Sequence, residues 1–199
     1  NGVRVGALAE VTTTSFFPAK PLGCYGDGGM VFTRNEGVAM SIRSLRVHGK
    51  GSDKYDNVQI GQNSRLDTIQ AAVLLPKLQI LDNELESRDR IARRYTEGLR
   101  DVVATPAMPE NMTSAWAQYT IECEDRERTQ RELNAAKIGN AVYYPKPLHQ
   151  QTGYAQFRRD DIDMVRTDYL SGRVLSLPMY PYLFDDQVDR VIEVVRSAV

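Results

Sequence analysis

A helical repeat near the middle of the chain constrains the fold more than any other feature. Asp67 is suited to capping a helix, and the pattern it opens reaches about Arg100. Ile69, Val73, Leu81, Leu85, Ile91, Tyr95 and Leu99 supply one apolar stripe at helical spacing. Pro76 removes a backbone donor inside that stretch, so a kink is expected there. Glu84, Glu86, Arg88, Asp89, Arg90, Arg93 and Arg94 read most simply as a solvated face with i,i+4 pairs.

The segments on either side of this helix differ. Before it, residues 11–17 and 30–33 are β-prone runs. Asn35 then caps a helix expected through Arg46, with Val38, Ile42 and Leu45 on one face. Residues 52–63 form a polar loop too long for a plain connection, which points to function or mobility. After the long helix the composition shifts at Thr105-Pro106-Ala107-Met108-Pro109, and the domain boundary is expected at 105. Strands are expected at 116–123, 141–144 and 174–177, and helices at 126–137 and 160–171. Asp185 is expected to cap a last helix over 186–198. That alternation describes a small α+β domain over 106–199, and the chain as a whole reads as α/β.

Composition excludes several classes of partner. The 199 residues are 42% hydrophobic with a formal net charge of −1. A packed core is expected, and neither nucleic acid nor an anionic membrane is a natural partner. No apolar run approaches the ~20 residues of a membrane-spanning helix. Cys24 and Cys123 are far apart and form no CxxC. They suit reduced thiols in a cytoplasmic protein and leave no metal motif. His48 and His149 stand in unlike loops, poor material for a metal site or a Ser-His-Asp triad.

Lys20 is the residue with chemical promise. It follows Ser15 by five positions, in a turn held between Pro18 and Pro21. The run Gly26-Asp27-Gly28-Gly29 returns the chain to the second β-prone segment. The glycine spacing fits neither a nucleotide phosphate loop nor a dinucleotide fingerprint; a tight return that holds Lys20 is the simpler reading. A lysine in a rigid, mostly apolar loop is suited to act as a Schiff-base nucleophile. Asn63 and Arg65 precede the long helix, and an amide beside a guanidinium suits anion recognition. An Asn turn with Arg65 paired to Asp67 is the plainer alternative.

These segments together resemble the DegT/DnrJ/StrS family of sugar aminotransferases. The likeness rests on the Ser15 to Lys20 segment with its glycine return and on Arg46-Val47-His48-Gly49. It continues in Gly61-Gln62-Asn63-Ser64-Arg65-Leu66-Asp67 and Tyr144-Pro145-Lys146-Pro147-Leu148-His149. The resemblance implies a fold-type-I enzyme that uses pyridoxal 5′-phosphate. Residues 1–105 would be the C-terminal part of its large cofactor domain with the connecting helix. In the family an aspartate and a stacking aromatic precede the lysine, so the chain is expected to be the C-terminal portion of a longer enzyme. Lys20 is implied as the catalytic lysine, with Ser15 and Asn63 on the cofactor phosphate, Asn63 reaching the other subunit of a homodimer with shared sites. Arg65, Tyr143, Tyr144 and His149 are implied near the sugar nucleotide.

The implied reaction moves an amino group from an amino acid, such as glutamate, to the 3-keto group of a UDP-linked N-acetyl-hexuronic acid for surface polysaccharide. Another nucleotide-linked keto-sugar is the alternative substrate. Dehydratases of the same fold replace the lysine by histidine, which Lys20 argues against. A fragment with only a dimerising or structural role is the reading from another class.

Overall fold

The computed structural model describes residues 2–159 and 161–199. It divides into two compact units, Asn1–Asp82 and Asn83–Val199, and the division falls inside the long helix rather than after it. The composition shift at 105–109 marks a loop within the second unit.

In the first unit, β1 (Val11–Ser15) and β2 (Gly29–Thr33) pair antiparallel, with Val11 opposite Thr33 and Ser15 opposite Gly29. Helix α1 (Glu36–Leu45) starts as expected: Asn35 Oδ1 accepts the Val38 N–H at 3.1 Å, and Glu36 lies in the first turn, where the helix dipole favours an acid. The loop that follows is closed on itself. His48 N–H donates to Gln62 O, Gln62 N–H donates to Leu45 O, and Val47 bridges Asn63. Two glycines permit this. A Cβ on Gly61 would lie 2.2 Å from Gly49 N, and Gly49 has φ 77°.

Helix α2 (Thr68–Leu99) continues unbroken through Pro76. Its first turns complete a small core of Phe16, Cys24 and Leu74, with Leu22 and Leu66 against it.

The second unit has the larger core. Strands β3 (Tyr119–Glu122) and β4 (Val174–Leu177) pair antiparallel. Ile121, Leu175 and Leu177 on them pack with Ile91, Tyr95 and Leu99 of α2. Leu133 of α3 (Arg126–Ala135) and Val188, Val191 and Val195 of α5 (Asp185–Ala198) complete the cluster. The Tyr95 hydroxyl donates to Pro178 O at 3.0 Å, and burial pushes its pKa up.

Several local expectations change. The strand at 116–123 begins at Tyr119, because Trp116 adopts φ 44° and breaks the extended run. The strand at 141–144 is reduced to a bridge between Ala141 and Ser176. Pro145 and Pro147 follow directly and offer no N–H to a ladder. The helix at 160–171 is only α4 (Val165–Ser171). Asp163 Oδ1 accepts the Val165 N–H at 2.8 Å, a local turn that competes with an earlier helical start. Asp160, where that helix was expected to begin, lies outside the described residues.

Asp185 is not the cap of α5 but its first residue; Gln187 Oε1 instead accepts the Phe184 N–H at 3.0 Å. Asp185 faces Arg90 and Arg94. The charged face of α2 is therefore not simply solvated. Arg94 pairs with Asp189, and Arg88 is buried, donating to Trp116 O at 3.0 Å and Met179 O at 3.1 Å. Asp89 accepts from Trp116 Nε1 at 3.1 Å and pairs with Arg93. Local periodicity shows charges on a helix, but not partners some 95 residues away.

Candidate functional site

The turn between β1 and β2 carries Lys20. Its N–H donates to Phe17 O at 2.8 Å, and the residue is exposed. Of the mostly apolar loop that carries it, Phe16 and Cys24 are buried in the core beneath, while Phe17 and Tyr25 are exposed. Ser15 Oγ accepts the Phe17 N–H at 3.1 Å, which leaves its own hydroxyl proton available to donate.

The return limb is tied residue by residue. Lys77 Nζ donates to Gly23 O at 2.6 Å and lies 5.1 Å from the centre of the Tyr25 ring. Tyr25 N–H donates to Gln70 Oε1 at 2.7 Å. Cys24 Sγ reaches Phe16 O at 3.0 Å and Gly26 O at 3.1 Å. A Cβ on Gly28 would stand 2.9 Å from Cys24 Sγ and from Leu66 Cδ1, so any larger residue there would have to displace the core side chains. Gln70, Leu74 and Lys77 recur at helical spacing and form one bed for the loop. The apolar stripe and the charged face read from the sequence of α2 include neither Gln70 nor Lys77.

Asn63 and Arg65 lie together in the same unit. Arg65 Nε donates to Asn63 Oδ1 at 3.0 Å, so Arg65 is engaged with the amide rather than with Asp67. Both are exposed, and the Asn63 Nδ2 group makes no hydrogen bond among the described residues. Tyr143, Tyr144 and His149 belong to the second unit. The two tyrosine rings stand edge to face, 5.4 Å apart, and both residues are exposed. His149 Nε2 lies 2.8 Å from Asp168 Oδ1, which also accepts from Gln150 Nε2 at 2.7 Å. Nothing in the spacing of Asp168 marked it as that partner.

The model of the DegT/DnrJ/EryC1/StrS aminotransferase family matches residues 1–196. The chain belongs to that family. It is 44% identical over 183 residues to the UDP-2-acetamido-2-deoxy-3-oxo-D-glucuronate aminotransferase of Pseudomonas aeruginosa, covering 92% of this chain and 50% of that protein. Its fold matches a DegT/DnrJ/EryC1/StrS aminotransferase of Brucella abortus with TM-score 0.95 and 53% identity, over 98% of this chain and 52% of that one. It also matches NtdA of Bacillus subtilis, solved with bound cofactor PMP, with TM-score 0.88 and 29% identity, over 98% of this chain and 47% of that one. The chain thus spans about half the length of these relatives and has the α/β fold of the matching part of a fold-type-I aminotransferase.

Pyridoxal phosphate needs an amine for its aldehyde and donors for its phosphate. An exposed lysine on a tied turn, a serine hydroxyl at the foot of that turn and the Asn63 Nδ2 group, whose Oδ1 alone is engaged by Arg65, are a fitting donor set. Among the described residues no helix is long and apolar enough to cross a membrane.

Proposed function

We propose that the protein is a pyridoxal-phosphate aminotransferase that moves an amino group from an amino acid, glutamate in the simplest case, to the 3-keto group of a UDP-linked N-acetyl-hexuronic acid. The observation that carries this reading is Lys20 itself: one exposed lysine on a tied turn, in a chain 44% identical to an aminotransferase named for a 3-oxo-glucuronate substrate. Pyridoxal phosphate, when bound, supplies the electron sink. Lys20 would hold the group through its ε-amine, and the same amine, when free, would carry a proton from one reacting carbon to the other, as base and then acid. Ser15 donates its hydroxyl proton to the phosphate, and Asn63 donates its amide N–H to the phosphate held by a second copy of the chain.

Arg65, Tyr143, Tyr144 and His149 are the proposed contacts to the sugar nucleotide. The product is an amino sugar for surface polysaccharide such as O-antigen. The setting is the cytoplasm, which suits two buried free thiols, Cys24 and Cys123. Borohydride reduction of the cofactor-loaded protein followed by peptide mapping tests the reading. The pyridoxyl label is expected on Lys20; label on another lysine with Lys20 unmodified overturns it.

A further inference from the structure

We propose that Lys77, with Gln70, is a positioning residue for Lys20: the two residues clamp the return limb of the loop so that the Lys20 amine is held where a covalent cofactor link can form. The inference rests on the reading of Lys20 given above.

The argument starts from the chain between Gly23 and Gly26. Each of these four consecutive residues is tied: Gly23 O by Lys77, Cys24 N–H to Phe16 O, Tyr25 N–H by Gln70, and Gly26 O by the Cys24 thiol. A plain surface turn does not need this. Its carbonyls and amides are satisfied by water, and a lysine opposite it is ordinarily a solvated charge.

Lys77 is different. It is half-buried, its ammonium makes a short charge-assisted bond to one carbonyl, and it stacks over the ring of the same limb. Gly23 lies close against the turn: a Cβ there would be 2.6 Å from Pro18 O. The carbonyl that Lys77 holds is therefore packed against the turn that carries Lys20. Gln70 and Lys77 flank Leu74, which lies in the core with Phe16, so the clamp is fixed to the helix by the same apolar contact that seats the loop. Lys20 makes no side-chain hydrogen bond among the described residues. The backbone beneath it sets where its side chain starts, and the ties of Lys77 and Gln70 hold the limb packed against that backbone.

The test uses the full-length protein. Lys77→Met keeps the aliphatic stem and removes the charge; Lys77→Arg restores a cationic donor. Two quantities are read at saturating pyridoxal phosphate: the fraction covalently linked to Lys20, from the visible absorbance and borohydride trapping, and the total cofactor bound, released by denaturation. A third, hydrogen exchange at the Tyr25 amide, is read without cofactor. Lys77→Met is expected to lower the linked fraction and speed Tyr25 exchange by about tenfold each, the scale of losing one charge-assisted hydrogen bond. Total bound cofactor stays within about twofold, since the phosphate donors are untouched, and Lys77→Arg recovers most of the linked fraction.

A linked fraction and an exchange rate equal to the parent's overturn the proposal, and so does parallel loss of linked and total cofactor, which marks a collapsed site instead of a misdirected amine. If Lys77→Met does not fold, Gln70→Ala carries the same three readings with the same expected directions. A parent protein that takes no label on Lys20 overturns the functional reading first; a labelled parent with an equally labelled Lys77→Met overturns this inference alone.

Discussion

Arg94 grips Asp189 through two parallel hydrogen bonds, Nε to Oδ1 at 2.6 Å and Nη2 to Oδ2 at 2.7 Å, and so ties α2 to α5. The Arg94 hydrogen bond holds the Asp189 carboxyl below its usual 3.8, and Asp101 is held down in the same way by Arg196. A carboxylate whose folded pKa is depressed contributes fully above the unfolded value, and that contribution fades as pH falls through the folded one. Docking of α5 is therefore expected to weaken below about pH 3.8, not at neutral pH. Both pairs are largely exposed, so the effect is modest and shrinks in about 1 M salt, where the screening length is ~3 Å. Acid unfolding followed by circular dichroism checks this: Arg94→Gln should raise the midpoint at low salt. A variant that unfolds at the parent's pH in both salts would show the pair to be inert.

Arg88 makes a stronger claim on stability. Its guanidinium is buried, and burial lowers its pKa while Glu84 opposes that shift. It satisfies the carbonyls of Trp116 and Met179, which belong to two separate loops. Arg88→Ala leaves both carbonyls without a partner and opens a cavity, at an expected cost of about 2–5 kcal/mol. Urea unfolding is the measurement, and a loss under about 0.5 kcal/mol would mean that water replaces the side chain.

Gly98 on α2 lies against Ile192 on α5. A Cβ there would meet Ile192 Cδ1 at 2.8 Å and Cγ2 at 2.9 Å. Ala is the better helix former by ~1 kcal/mol, so an open site would be stabilised by Gly98→Ala. Contact with a side chain branched at its own Cβ is expected to reverse the sign, for a net loss of about 1–2 kcal/mol. In an Ile192→Ala background the same change should become neutral or favourable, and a double-mutant cycle reads the difference. Equal effects in both backgrounds would show that α2 and α5 part easily.

The elements that local chemistry decides were legible in the sequence. Asn35 capped α1 as its side chain required, and the stripe from Ile69 to Leu99 produced α2. Lys20 stood out because two prolines and a glycine return are local signals. What could not be seen depended on distant partners. Arg88 looked like a member of a polar face because its two carbonyl acceptors come from residues 116 and 179. Gln70 and Lys77 looked like ordinary polar positions because the loop they hold precedes them by more than forty residues. The segment at 141–144 had strand composition, but the prolines after it left only one bridge.

The proposed sharing of sites between two copies predicts complementation. Lys20→Ala and Asn63→Ala should each be inactive in the full-length protein, for different reasons. If Asn63 serves the phosphate held by the other copy, a mixed dimer pairs a Lys20→Ala subunit with an Asn63→Ala subunit: one site carries both defects and the other is whole. Subunit exchange should then recover up to about half of the parent's activity per mixed dimer. No recovery, with mixed dimers demonstrated by native mass spectrometry, would place Asn63 in its own subunit's site.

In the proposed reaction, substrate choice is expected to turn on Arg65. Its Nε donates to Asn63 Oδ1, so the two side chains lie together at the approach to α2. That bond uses one of the five guanidinium donors and leaves the rest for an anion. It also holds the fork in place beside the amide proposed to meet the cofactor phosphate. A uronic acid brings a carboxylate at C6, whereas a 6-deoxy or hydroxymethyl sugar does not. A charge-assisted pair to that carboxylate is worth about 1.5–3 kcal/mol, or roughly 10- to 150-fold. Arg65→Ala is therefore expected to lower kcat/KM on the 3-keto-uronate by that factor and to affect a neutral keto-sugar analogue much less. Arg65→Lys should recover only part of the loss, because a single ammonium cannot form the two-pronged contact. Comparable losses on both substrates would instead assign Arg65 to orienting Asn63, the contact the structure already contains.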